Sequence, residues 1–125
     1  MEENFQPIFA NGKICYLEIP ASDIAVSANF YKVVFGWHIR EDDGGNIFFD
    51  DPTGQVSGMW VTGRQPATNP GIMISIMVNN IANTIKLVTA NDGQIVQAPN
   101  EGSSEKIALF SDPAGNVFCL YQHQL

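Results

Sequence analysis

The chain repeats itself. Ser22-Asp23-Ile24 and Asn79-Asn80-Ile81, 57 residues apart, each stand between an apolar run that reads as a strand and an apolar spacing that reads as a helix. The same offset of 57 carries Gly36 onto Gly93, each ending its helical pattern, and Ile39 onto Val96 in the strand beyond. Asp51-Pro52-Thr53-Gly54-Gln55-Val56 then returns as Asp112-Pro113-Ala114-Gly115-Asn116-Val117 at an offset of 61, so the second copy has gained four residues in a loop. One unit written twice is the constraint that every other reading of this chain has to meet.

In the first unit Ile14 to Ile19 reads as a strand. Ile24, Ala28, Tyr31 and Phe35 recur at helical spacing after a Ser22 cap, and Gly36 stands where a left-handed stop belongs. Three strands follow, Trp37 to Glu41, Asn46 to Asp50 and Gln55 to Thr62, the last two joined by Asp-Pro-x-Gly, whose proline and glycine suit a type I turn. In the second unit the strand is Ile72 to Val78, the helix Ile81 to Asp92, and the later strands Gln94 to Gln97, Lys106 to Ser111 and Val117 to Gln122. Each unit is β-α-β-β-β. The expected fold class is therefore α+β, two tandem βαβββ modules (14–62 and 72–122, with a linker at 63–71) forming a curved mixed sheet around a cleft. Pro99 to Glu105 reads as a polar, mobile loop.

With 45% apolar and 15% charged residues, 125 residues suffice for one domain with its own core. A net charge of −7 argues against nucleic acid and anionic membrane surfaces as partners. The longest apolar run, Ile72 to Val78, falls far short of the ~20 residues that span a bilayer, and Met1-Glu2-Glu3-Asn4 carries no leader signal, so a soluble, cytoplasmic protein is expected. Cys15 and Cys119 read as free thiols: by alternation one faces the helix and the other the opposite side.

Strand alternation separates two faces. Ile72, Ile74, Ile76 and Val78 belong under a helix and leave Met73, Ser75 and Met77 opposite; Cys15, Leu17 and Ile19 leave Tyr16 and Glu18; Phe118 and Leu120 leave Val117, Cys119 and Tyr121. The 61-residue offset adds Val56, Gly58 and Trp60 to that second face. A surface of Tyr, Met, Trp and Cys on curved modules is where a small-molecule cleft is expected.

Paired β-α-β-β-β units, Phe30-Tyr31-x-x-x-Phe35-Gly36-Trp37 after the first helix and Asp112-Pro113-x-Gly115-Asn116 before the last strand together resemble the vicinal oxygen chelate superfamily, which includes glyoxalase I, the bleomycin-resistance proteins and extradiol dioxygenases. The resemblance spans residues 14 to 122 and implies, for metal-dependent members, a divalent ion held by His and Glu from the first and last strands of each unit. Carried onto this chain, those places are Tyr16, Gly58, Met73 and Cys119, none of them His or Glu.

Tyr16, Glu18, Trp60, Met73, Ser75, Cys119 and Tyr121 are accordingly the candidate ligand-binding residues. Glu18 is either a ligand anchor or an acceptor for its neighbours; Tyr16 and Tyr121 are ligand hydrogen-bonders or packed rings with satisfied tips; Trp60 is a stacking platform or a dimer contact. Met73 and Met77 offer adaptable apolar surface, Cys119 reads as an inert thiol, and His38 and His123 as solvated surface. Both Asp-Pro-x-Gly segments read as turns and nothing more. The expectation is a homodimeric small-molecule-binding protein with a metal-independent cleft and no cofactor, its ligand a small organic molecule. The alternatives are a metal-dependent lyase or dioxygenase with unusual ligands and a dimeric interaction module. Whether it is an enzyme is open at this stage.

Overall fold

The elements run β1 (Tyr16–Pro20), α1 (Ile24–Phe35), β2 (His38–Glu41), β3 (Ile47–Asp50), β4 (Ser57–Val61), β5 (Ser75–Met77), α2 (Ile81–Ala90), β6 (Gln94–Gln97), β7 (Glu105–Ser111) and β8 (Val117–His123). The computed structural model describes residues 7–101 and 105–123; the Met1 to Asn4 segment, and part of the loop expected at Pro99 to Glu105, lie outside them. Each β-α-β-β-β unit builds its own four-stranded sheet, in the orders β1-β4-β3-β2 and β5-β8-β7-β6. Within each sheet the first strand runs parallel to the last and the remaining pairs are antiparallel. The α+β, two-module fold expected from the repeat is the one found.

Asp23, one residue later than expected, caps α1 by accepting from the Val26 N–H at 3.2 Å, and Gly36 ends the helix in the left-handed region at φ 73°. In the second module the corresponding roles shift. Asn80 caps α2, the helix stops at Ala90, and Asp92 rather than Gly93 takes the positive φ, 69°. Gly93 is there for lack of space: a Cβ would lie 2.7 Å from Val88 Cγ1 and 2.9 Å from Phe30 Cε1, where the two modules pack.

One apolar cluster serves both modules, because α1 carries aromatic side chains that reach both sheets. Tyr31 stacks on Trp37 at 4.5 Å between ring centroids and also meets Trp60 and Phe118; Phe30 meets Phe110 at 6.0 Å. Phe49 lies between Trp37 and Trp60, at 4.5 and 4.9 Å. Each of these rings is worth about 1.5–3 kcal/mol in transfer out of water, so α1 is the piece that joins the halves.

Polar groups reinforce the joint. Asp112, expected to do no more than turn the chain, is a buried carboxylate that accepts from the Tyr31 hydroxyl at 2.8 Å, from Asn116 Nδ2 at 2.9 Å and from the Ala114 and Asn116 backbone N–H groups at 3.0 and 2.9 Å. Asn116 in turn donates to the Pro20 carbonyl of β1 at 2.7 Å and accepts from the linker N–H of Ala67 at 2.8 Å. The second Asp-Pro-x-Gly segment is thus a turn and also a hub between β1, α1 and the linker.

The two turns differ in length by one residue. Asp50 pairs with Ser57 across the first, and Ser111 with Val117 across the second, leaving six intervening residues in one case and five in the other. Since side chains alternate along a strand, one additional residue exchanges the faces of everything after it. Leu17 therefore pairs with Gly58 and Ile19 with Trp60 on the helix side, whereas Glu18 pairs with Met59 on the other. Trp60, expected on the open face, is 1% exposed in the core. Among the described residues its Nε1 is a buried donor without a partner, a cost of about 1–3 kcal/mol that the burial of its large ring offsets. Cys15, expected under the helix, precedes β1 and is exposed; both thiols are free.

Candidate functional site

The faces turned away from the helices carry the candidate site. On the first sheet, Glu18, Met59, Phe48 and Arg40 form one row of register partners and Tyr16, Ser57, Asp50 and His38 the next. Arg40 grips Asp50 with two bonds, 2.7 and 3.1 Å, and lies over the Phe48 ring at 5.6 Å, while the Ser57 hydroxyl donates to Asp50 at 2.6 Å. Burial pushes the Asp50 carboxyl up, but the bonds from Arg40 and Ser57 and the charge of Arg40 outweigh it and hold the group below its ordinary value. This cluster is internally satisfied and braces the sheet.

Glu18 is not alone on its face. Arg64, from the linker, reaches it at 2.7 Å, with both side chains about half exposed. Beside them, Leu17, Pro20, Ala67, Pro70, Ile72 and Val117 line a small cavity of about 100 Å³ on the seam between the modules. A more open groove of about 330 Å³ lies elsewhere, between the start of α1 and the end of α2, where Asp23 is already engaged as a cap.

On the second sheet Ser75 pairs with Cys119, and Met77 with Tyr121, which pairs in turn with Ile107. Met73 and Met77 are exposed, while Cys119 is 6% exposed and turns its thiol to the Leu120 carbonyl. At the end of this face Glu105 stands opposite His123, and the Tyr121 hydroxyl donates to Glu105 Oε2 at 2.6 Å while lying 3.1 Å from His123 Nδ1. The bond to Glu105, with smaller help from burial and charge, raises the Tyr121 phenol above its usual range.

Of the seven expected site residues, Tyr16 and Glu18 thus share the open face of the first sheet, and Met73, Ser75, Cys119 and Tyr121 that of the second; Trp60 belongs to neither. Arg64, Met59, Glu105 and His123 were not among them. Counting outward from the second turn, residue by residue, puts Glu105 opposite His123, so that pair was legible; Arg64 was not, since nothing in a linker sequence fixes where its side chain lands.

A family model for the glyoxalase/bleomycin resistance protein/dioxygenase superfamily matches residues 13–120. The chain belongs to this superfamily. Solved structures of like fold include hypothetical protein SA1046 from S. aureus, with 20% identity, 91% of this chain and 95% of that one covered, and a TM-score of 0.70. A superfamily member from Sphaerobacter thermophilus has 22% identity, coverages of 89% and 97%, and a TM-score of 0.71. The fosfomycin resistance protein FosX from Mesorhizobium loti has 14% identity, coverages of 94% and 96%, and a TM-score of 0.71. At these identities the likeness is one of fold. No curated protein matches the chain significantly.

The divalent ion associated with metal-dependent members of the superfamily does not fit the residues found here. The register that places Cys119 on the open face places Met59, not Gly58, at the matching point of the first sheet, since Glu18 pairs with Met59 as Ser75 pairs with Cys119. The four donors would be a phenol (Tyr16), two thioethers (Met59 and Met73) and one buried thiol, a set suited neither to hard nor to borderline divalent ions. Among the described residues no three His, Cys, Asp or Glu side chains come together to replace them.

Proposed function

We propose that this chain is a metal-independent small-molecule-binding member of its superfamily, with the ligand on the helix-free faces of the sheets. The observation that carries the reading is the donor set itself: where metal-dependent relatives need His and Glu, this chain has Tyr16, Met59, Met73 and Cys119. Phenol and thioether groups make adaptable apolar contacts instead. The candidate binding residues are Tyr16, Glu18, Met73, Ser75, Cys119 and Tyr121, joined by Arg64 and Met59. The names of similar proteins, among them a fosfomycin resistance protein, favour an organic molecule of antibiotic size.

The seam cavity, about 100 Å³, is far below the ~300–1,000 Å³ of drug-sized sites. A second copy covering the exposed Tyr16, Met73 and Met77 would complete the enclosure, which is why the functional unit is read as a homodimer. Elemental analysis after dialysis against a chelator, combined with a thermal-shift screen of small organic molecules, tests the reading. Stoichiometric metal overturns the metal-independent half, and a screen without a single stabilising compound overturns the binding half.

A further inference from the structure

We infer that His123 is the proton-accepting end of a three-residue relay, His123, Tyr121 and Glu105, and that this end of the second sheet takes a flat apolar molecule bearing an acidic O–H or N–H. The inference rests on the binding reading above and names the ligand chemistry for it.

The argument begins with counting protons. Tyr121 Oη lies 2.6 Å from Glu105 Oε2 and 3.1 Å from His123 Nδ1. A tyrosine hydroxyl has one proton to donate, and an ionised carboxylate can only accept. The Tyr121 proton therefore goes to Glu105, and the lone pair left on Oη accepts from His123. For that bond to exist His123 must carry its hydrogen on Nδ1. In the neutral ring Nε2 is then an acceptor on a half-exposed side chain, where it can exchange water for the O–H or N–H of a ligand, and it is the group that selects for one.

The surroundings supply the rest of the ligand's shape. Tyr121 and His123 are two residues apart on β8, on one face, with their rings 26° from parallel and 6.3 Å apart. Next to them Met77, Tyr121 and Ile107 form a row of register partners, of which Met77 is 72% and Ile107 40% exposed. A flat apolar body laid along that row brings its protic end to His123. Tyr121 is a positioning residue in this arrangement: it fixes the tautomer of a ring that touches the ligand.

Two-bond ¹H–¹⁵N correlation spectra read both nitrogens of the chain's two histidines, with His38 as internal reference. His123 is expected protonated on Nδ1 when neutral, and Tyr121→Phe is expected to return it to the ordinary Nε2–H form while His38 stays unchanged. A wild-type Nε2–H tautomer, or one indifferent to Tyr121→Phe, overturns the relay. The ligand arm uses 1-naphthol and 1-methoxynaphthalene, which share a ring system and differ in the O–H. The naphthol should bind wild type about five- to tenfold tighter, the worth of one hydrogen bond, shift the His123 Nε2 resonance, and lose its advantage in His123→Phe. Equal affinities overturn the inference and leave the binding face intact. Failure of both probes to bind also overturns it, and the binding reading is then decided by the thermal-shift screen alone.

Discussion

The Tyr31 hydroxyl donates to the Asp112 carboxylate at 2.8 Å, across 81 residues of chain and from one βαβββ module to the other. Both groups are buried, at 0% and 3% exposure, and hydrogen bonds to Asp112 from Tyr31, Asn116 and two backbone N–H groups stand in for a counter-ion. Removing one donor leaves a buried charge under-solvated. Tyr31→Phe should therefore lower unfolding stability by about 1.5–3 kcal/mol, more than its lost hydroxyl would cost at a surface. Urea denaturation monitored by tryptophan fluorescence measures this, and a change under about 0.5 kcal/mol would place the bond among inconsequential ones.

The same pair predicts sensitivity to alkali. Burial, then the charge and the hydrogen bond of Asp112, push the Tyr31 phenol well above its ordinary 10.0. A group raised in the folded state contributes stability that is complete below its unfolded pKa and is lost as pH climbs toward the folded one. Wild type should thus lose stability above pH 10.0 more steeply than Tyr31→Phe. Parallel curves for the two proteins would contradict it.

At the other extreme of pH, Asp51, like Asp42 and Asp50, is held below its ordinary range. Burial raises its carboxyl, but bonds from the Thr53 side chain and from the Val56, Gln55 and Thr53 backbone N–H groups hold it below 3.8 overall. Stability from this turn should be full above that value and fade as pH falls below it. Asp51→Asn should flatten the acid limb of a thermal-melt profile between pH ~2 and ~5, the span over which such a group exchanges its proton; an unchanged limb sinks the assignment.

Gly58 marks the tightest point between β1, β4 and Phe49, because a Cβ there would run into the Leu17 carbonyl oxygen and the Phe49 ring. Gly58→Ala is expected to cost about 1–3 kcal/mol by overpacking, whereas Met59→Ala, on the open face, should cost less. Chemical denaturation of the two variants decides, and the reverse order would mean that the faces of β4 have been exchanged.

Glu18→Gln should leave the fold nearly untouched, since the Arg64 pair is half exposed and such pairs are worth about 0–1 kcal/mol. Its effect should show in binding. Freed of its partner, Arg64 should attract anions to the seam, so that 2-naphthoate binds the variant more tightly than wild type in calorimetric titration. Weaker or equal binding would show that Arg64 does not face the ligand.

Much of this fold was legible because a repeat checks itself. The order of strands and helix read from the first unit had a second witness 57 or 61 residues on, and hydrophobic alternation assigned the faces of β1, β5 and β8 correctly, although Ile72, expected to start the β5 strand under a helix, precedes it and is 83% exposed. The reading failed at β4, and for a physical reason. Asp51-Pro52-Thr53-Gly54 and Asp112-Pro113-Ala114-Gly115 look alike, yet Val56, the counterpart of Val117, is taken into the first turn, its N–H donating to Asp51 Oδ1 at 2.9 Å and its carbonyl accepting from the Asp51 N–H at 2.8 Å, so the strand begins one residue later. The seam was illegible for another reason: Asn116 and Pro20 become neighbours only after both modules have packed, and the Arg64 to Glu18 pair depends on the path the linker takes out of β4.

That additional turn residue makes strand parity, rather than motif, the rule for transplanting chemistry into this chain. A histidine installed at Gly58, where counting from the Asp-Pro-x-Gly motif would put it, would drive an imidazole into the aromatic cluster around Phe49 and Trp60. The same histidine at Met59 would stand beside Glu18 on the open face. An engineer building a metal centre here has to start from Met59, Met73 and Cys119, and any comparison of the two halves of such proteins has to count residues through the turn before it matches side chains.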